Sequence, residues 1–197
     1  MNPVASGRPA DAETESKKRP GLWVGLYEWV EVFAVSIAVV FLLFAFVGRV
    51  SVVDGSSMTN TLQNGDKLLV WQFGYTPKSG DIVVCHSTFF GFDEPLVKRV
   101  IATGGQTIRI DPATWTVTVN GVALDEPYVK RIAGRAMTGW SYGESYTVPD
   151  GKVFVMGDNR NGSWDSRDSR VGPIEEQYIL GKVIFRYAPL SAFGKVS

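Results

Sequence analysis

Of the 197 residues, one is a cysteine and one a histidine. The lone Cys85 excludes a disulfide within the chain and any zinc site built from several cysteines. His86 is the single candidate base for a histidine-dependent triad, and it follows Cys85 directly. Neighbours in a strand project to opposite faces, so the pair does not form a Cys–His couple easily; it reads as a half-buried thiol beside a solvated imidazole. Net charge is missing as well. Twenty Lys and Arg balance twenty Asp and Glu, so no global field points to nucleic acid as a partner. A repeat at a fixed period is also lacking. A hydrophobic share of 45% with 12% aromatics fits a folded chain, and the length suits one sizeable domain with a short appendage.

What is present is unevenly placed. Residues 1–21 are polar and rich in Pro, Ala and Glu, which predicts a disordered tail. Between Val32 and Val47 only Ser36 interrupts an apolar run, within a span taken as 22–49. A transmembrane helix needs roughly 20 mostly apolar residues, and this run suffices. A buried core helix would show a polar stripe. A cleaved signal peptide would have a shorter leading segment and a small-x-small site, which "AFVGRVSVV" lacks. The expectation is a retained anchor. Lys17, Lys18 and Arg19 would keep the N-terminus cytoplasmic, with Trp23, Tyr27 and Trp29 near that interface and residues 50–197 outside the cytoplasm.

The exported part reads as mainly β, a folded sheet or barrel-like domain. Strand character runs through "KLLVWQF", "DIVVCHS", "LVKRVI", "QTIRI", "TWTVTVNGVAL", "KVFVMGD" and "GKVIFRY". Turn clusters such as Gln63–Asp66 and Lys78–Asp81 separate them. Asn120-Gly121, at the end of an alternating run, predicts a type I′ hairpin. Only "GPIEEQYILGK" suits a short helical turn.

Polar residues with chemical potential gather in three places: Ser56 with Ser57, Lys98 with Arg99, and "GDNRNGSWDSRDSR" at 157–170. Lys98 sits inside an apolar strand, and alternation sends Lys98 and Arg99 to opposite faces, so whichever points inward is desolvated. A buried lysine falls from about 10.4 by several units, and its neutral amine can serve a serine as general base. The third cluster follows "KVFVM", where short Asp, Asn and Ser side chains bond the backbone and Asp165 with Arg167 can form a structural ion pair.

In order along the chain, an apolar helix is followed by "DGSSMTNTLQNGD", "GDIVV", "LVKRVIA" and "VFVMGDNRNGSWDSR". This series resembles the type I signal peptidase (leader peptidase) family of membrane-anchored Ser/Lys endopeptidases, from the anchor onward. The resemblance implies Ser57, immediately before Met58, as nucleophile, with Ser56 a spacer. It implies Lys98 as general base and Ser163 as the serine orienting it. Asp158, Asp165 and Arg167 fall on bracing positions, and Val53, Met58, Leu62, Val84 and Val97 on positions lining shallow substrate pockets. It further implies signal peptides of exported preproteins and the bilayer as partners, a monomer, no metal or cofactor, and a family-variable insert at about 104–150. The chain departs from the family's pattern at Asn60, where a proline is common, and at Ala102, where glycine is typical. It departs again at Gly104-Gly105-Gln106, in place of Pro-Gly-Asp, and at Gly55, where some members carry a hydroxyl that stabilises the oxyanion. Asp168–Arg170 receive no role. Two other readings are a self-cleaving repressor-type Ser/Lys protease and a tethered β domain that only binds partners.

Overall fold

The computed structural model describes residues 22–86 and 95–196, so the tail at 1–21 with its basic cluster lies outside the described residues. The chain divides into two units, Met1–Phe41 and Leu42–Ser197. Helix α1 (Leu22–Val47) carries a stretch, Gly25–Leu42, of mean hydropathy 1.8 with none of it buried in the protein. By length and composition it can cross a membrane. The Ser36 hydroxyl donates to the Val32 carbonyl at 2.7 Å, so the polar interruption is satisfied within the helix itself. The helix stops two residues before the boundary read from sequence, because Gly48 and Arg49 already belong to the first strand.

In the second unit, strands β1 (Gly48–Val52), β2 (Lys67–Trp71), β3 (Ile82–Cys85) and β4 (Leu96–Thr103) lead into a smaller sheet. That sheet comprises β5 (Thr107–Asp111), β6 (Thr116–Val119), β7 (Val122–Ala123) and β8 (Tyr146–Thr147). The chain then returns to the first sheet with β9 (Lys152–Met156), β10 (Ile174–Glu175), β11 (Ile179–Ala188) and β12 (Gly194–Lys195). The large sheet runs β1-β2-β11-β3-β4-β9-β10 with β12 on β11, and the small one β7-β6-β5-β8. Every strand pairing among the described residues is antiparallel. The fold is mainly β, as the alternating segments imply. Asn120 and Gly121 turn between β6 and β7 with φ of 50° and 81°, the left-handed pair that a type I′ hairpin requires. The "GPIEEQYILGK" segment contains the short helical turn that its composition suggests. One 3₁₀ turn at Glu176–Tyr178 separates β10 from β11, and Ile179 onward is strand because β11 is drawn into pairing with both β2 and β3.

The placement of β4 matters most. Leu96–Arg99 pair with β3 on one side, while β9 joins the other side only from Arg99, opposite Met156. The edge of Leu96–Lys98 facing away from β3 therefore has no strand partner among the described residues. Val97 belongs to one apolar cluster, Val100 to a second, and Ile101 with Ala102 to a third. With both faces of the strand covered, Lys98 and Arg99 are both buried, at 3% and 2% exposure. Strand alternation alone predicts burial of only one.

Candidate active site

Ser57 sits on a tight turn following β1. The turn starts at Gly55, whose φ of 88° lies in the left-handed region, and the Gly55 N–H donates to Asn64 Oδ1 at 2.8 Å. The Thr59 N–H and hydroxyl both donate to the Ser56 carbonyl, at 3.1 and 2.7 Å, closing the turn on its far side. Met58 and Leu62, at 1% and 0% exposure, plug its base into the core. Asn60 adopts a φ of 95°, which a proline ring near −65° cannot reach.

Lys98 reaches this turn from β4. Its Nζ donates to Ser57 Oγ at 2.8 Å and to the Val97 carbonyl at 3.2 Å. Desolvation pushes the Lys98 amine below its ordinary value, and the Arg167 charge pushes the same way. Cys85, Asp165 and Asp158 oppose them without reversing the direction. Cys85 is a free, fully buried thiol, and burial pushes it up to about 11, too high to supply a thiolate near neutral pH. The His86 N–H donates to the Tyr178 carbonyl at 3.0 Å, in β3's continuation, and the side-chain partner of Ser57 among the described residues is Lys98.

The segment 157–167 holds the turn from the other side. The Asn159 N–H donates to the Ser57 carbonyl at 2.9 Å, and Asn159 Nδ2 to the Ser56 carbonyl at 3.1 Å. Asp158 accepts from Arg99 through both oxygens at 2.9 Å and takes a further hydrogen bond from the Thr61 hydroxyl. Asp165 receives Arg167 Nε and Nη2 at 2.8 Å each, with the Gly157 N–H at 2.9 Å. Burial alone would raise the Asp165 carboxyl, but the Arg167 charge and its hydrogen bonds, with those of Gly157 and Ser163, hold it below the usual carboxylate range. A third pair, Arg160 with Glu126, is as dry as the others: Nη1 and Nη2 reach the carboxylate at 3.0 and 2.6 Å. An isolated buried charge costs several kcal/mol, so each arginine is tolerable only with its carboxylate.

Ser163 Oγ donates to the Trp164 carbonyl at 3.5 Å and hydrogen-bonds Asp165. Among the described residues, the hydrogen-bond acceptors of Lys98 are Ser57 and Val97, not Ser163. Gly157 explains the close packing here. A Cβ on it would lie 2.6 Å from the Ser57 carbonyl oxygen and closer still to Ser163 Oγ. Gly157→Ala must push the turn that carries Ser57 aside, and a displacement near 1 Å of a reacting group costs about a hundredfold in turnover. We expect kcat/KM to fall by that order while circular dichroism still reports the native sheet; undiminished turnover would show that the turn tolerates the shift.

An open cleft of about 450 Å³ lies over the Ser57–Lys98 contact. Asp54–Ser57 form one side, Pro95–Lys98 another, and Gly162 with Trp164 the third. Of the five residues expected to line substrate pockets, Val97 lines this cleft. Val53, Met58, Leu62 and Val84 pack with Val97 in one core cluster, all at 7% exposure or less. Sequence reasoning gave Asn159 and Arg160 no individual role within their cluster and did not single out Glu126. The string "GDNRNGS" holds the first two, but Glu126 lies 34 residues from Arg160 and carries no local signal. Among the described residues no cluster of three or more metal-ligating side chains occurs.

Comparison with known proteins agrees across nearly the whole chain. The family model described as "Signal peptidase, peptidase S26" matches residues 26–188. The chain is 34% identical over 187 residues to the probable signal peptidase I-1 of Synechocystis sp., covering 90% of each sequence. It is 34% identical over 183 residues to signal peptidase IB of Staphylococcus aureus, covering 85% of this chain and 92% of that one. A crystal structure of a signal peptidase I from Enterococcus faecalis V583 aligns at 28% identity and a TM-score of 0.46, over 55% of this chain and 97% of that one.

Proposed function

The chain belongs to the signal peptidase family, and is a serine endopeptidase that removes signal peptides from preproteins; we propose that Ser57 is its nucleophile and Lys98 its general base. The observation carrying this reading is the 2.8 Å contact between Lys98 Nζ and Ser57 Oγ at a lysine 3% exposed. Neutral Lys98 takes the Ser57 proton as Oγ attacks the scissile carbonyl. The tetrahedral intermediate collapses when that proton passes to the leaving nitrogen. Water then hydrolyses the acyl-enzyme through the same lysine. The main-chain N–H of Ser57 has no acceptor among the described residues, which supports it as a donor to the oxyanion. Gly55 brings no hydroxyl to that task.

Asp158, Asp165 and Arg167 brace the site through the ion pairs described above. Ser163, bonded to Asp165 beside Gly157, orients the lysine during turnover. The unpartnered edge of Leu96–Lys98 supports binding of the substrate as an added strand. Val97 sits in the cleft wall, with Val53, Met58, Leu62 and Val84 packed firmly behind it. Such a floor suits small side chains before the cut. In this reading α1 anchors the enzyme with its N-terminus cytoplasmic and residues 50–197 outside, acting as a monomer on the bilayer, and the dyad needs neither metal nor cofactor.

The test is cleavage of a model preprotein in detergent across a pH series, with the cut site sequenced. Protonation of Lys98 removes the acceptor for the Ser57 proton. Activity is therefore kept above the depressed lysine value and lost as pH falls through it. A rate that stays flat at every pH at which the fold survives would count against Lys98 as the base.

A further inference from the structure

The catalytic cleft has unlike walls. Pro95–Lys98 present a main-chain edge, whereas Gly162 and Trp164 present a turn and a ring that is 57% exposed. The same two residues line a second cavity of about 330 Å³, together with Thr138, Ser163, Asp165 and Asp168. Trp164 thus stands as the partition between the two. The cavities differ in chemistry. The first is backed by the apolar cluster around Val97, while the second is lined by hydroxyls, a backbone turn and ion-paired carboxylates.

A substrate chain must pass the Ser57–Lys98 contact in both directions. Its acyl half fits the free edge of Leu96–Lys98, and the side chains there meet an apolar floor. The leaving half has the remaining wall, where the exposed indole of Trp164 offers an apolar surface. We propose that Trp164 is a specificity-determining contact for the leaving segment. The first residue past the cut packs on the indole, and those after it enter the polar cavity beyond. This inference rests on the assignment of Ser57 and Lys98 as the reacting pair.

The ring is held for that task. The Arg170 guanidinium carbon lies 5.2 Å from its centroid, and Asp168 fixes Arg170 through Nε at 2.9 Å. Asp168 and Arg170, which carried no role in the sequence reading, become positioning residues for the partition.

The experiment measures kcat/KM for two substrate series, one varied at the first residue past the cut (Gly, Ala, Leu, Phe), the other varied before it. We expect wild type to favour Leu or Phe over Gly after the cut by about tenfold, the scale of a modest apolar contact. Trp164→Ala should bring that ratio near one, and Trp164→Phe should keep most of it. Arg170→Ala, a surface change, should lower the ratio part of the way; it supplies the readout if Trp164→Ala fails to fold. The series varied before the cut should keep its ranking in all variants. If Trp164→Ala and Arg170→Ala scale every substrate equally, or alter only the ranking before the cut, the proposal is overturned. Ser57→Ala run alongside separates the two levels: cleavage by that variant would remove the catalytic assignment itself, and this inference with it.

Discussion

Ser57→Ala and Lys98→Met should each lower kcat/KM for a preprotein by at least about ten-thousandfold, since members of a nucleophile–base unit act together and losing either removes nearly the whole effect. Ser56→Ala should retain most activity, because the structure uses the Ser56 carbonyl rather than its hydroxyl to hold the turn. Lys98→Met carries a second expectation of opposite sign. The Lys98 amine is buried, and its lowered proton affinity reflects the cost of charging it there. Burying a polar group that is incompletely hydrogen-bonded costs about 1–3 kcal/mol, which an apolar residue of similar volume does not incur. The inactive Lys98→Met variant should therefore melt higher than wild type by several degrees, taking about 2–4 °C per kcal/mol for a domain of this size. Loss of activity with gain in stability identifies a group kept for chemistry. Substantial cleavage by either variant would end the dyad assignment, and a Lys98→Met protein that melts lower would show that the amine contributes to packing.

Glu126→Ala should be strongly destabilising although the residue lies outside the apolar clusters. It leaves the Arg160 guanidinium, 1% exposed, without its carboxylate, and breaking one partner of a buried pair costs about 3–5 kcal/mol. For this domain that is on the order of 10 °C. The damage should spread, because Arg160 Nε donates to the Gly157 carbonyl and Arg167 Nη2 to the Arg160 carbonyl. Tyr128, whose hydroxyl donates to Glu126 at 3.0 Å, also lies under Arg99 with 3.7 Å between guanidinium carbon and ring centroid. Activity should fall together with melting temperature. Glu126→Ala combined with Arg160→Met should recover part of the stability, since no buried charge is then left unpaired. A melt within about 1 °C of wild type for Glu126→Ala would contradict the account.

Legibility in the sequence varied with how local each cause is. Strand segments could be read because period-two patterning is a property of neighbours, and the hairpin because Asn120 and Gly121 tolerate positive φ. Ser57 and Lys98 could be singled out as a pair from motif order, although 41 residues separate them. Glu126 could not, since an acid in "LDEPYVK" resembles any surface acid until the fold brings Arg160 to it. Val53, Met58, Leu62 and Val84 are buried together with Val97 in one cluster, and apolar character alone does not tell which of the five meets the cleft.

By itself, then, the sequence determined the mainly β character of the long strand segments, the apolar helix at the start and the chemical types available near Ser57. These depend on side-chain pattern and on residues within a turn or strand of one another. The tertiary structure decided which of those groups meet and which lose water. Placing β4 between β3 and β9 buries both Lys98 and Arg99, brings the amine to the hydroxyl, and leaves an open edge beside them. Proton affinity and reach are properties of surroundings assembled from distant segments, and no local pattern encodes them.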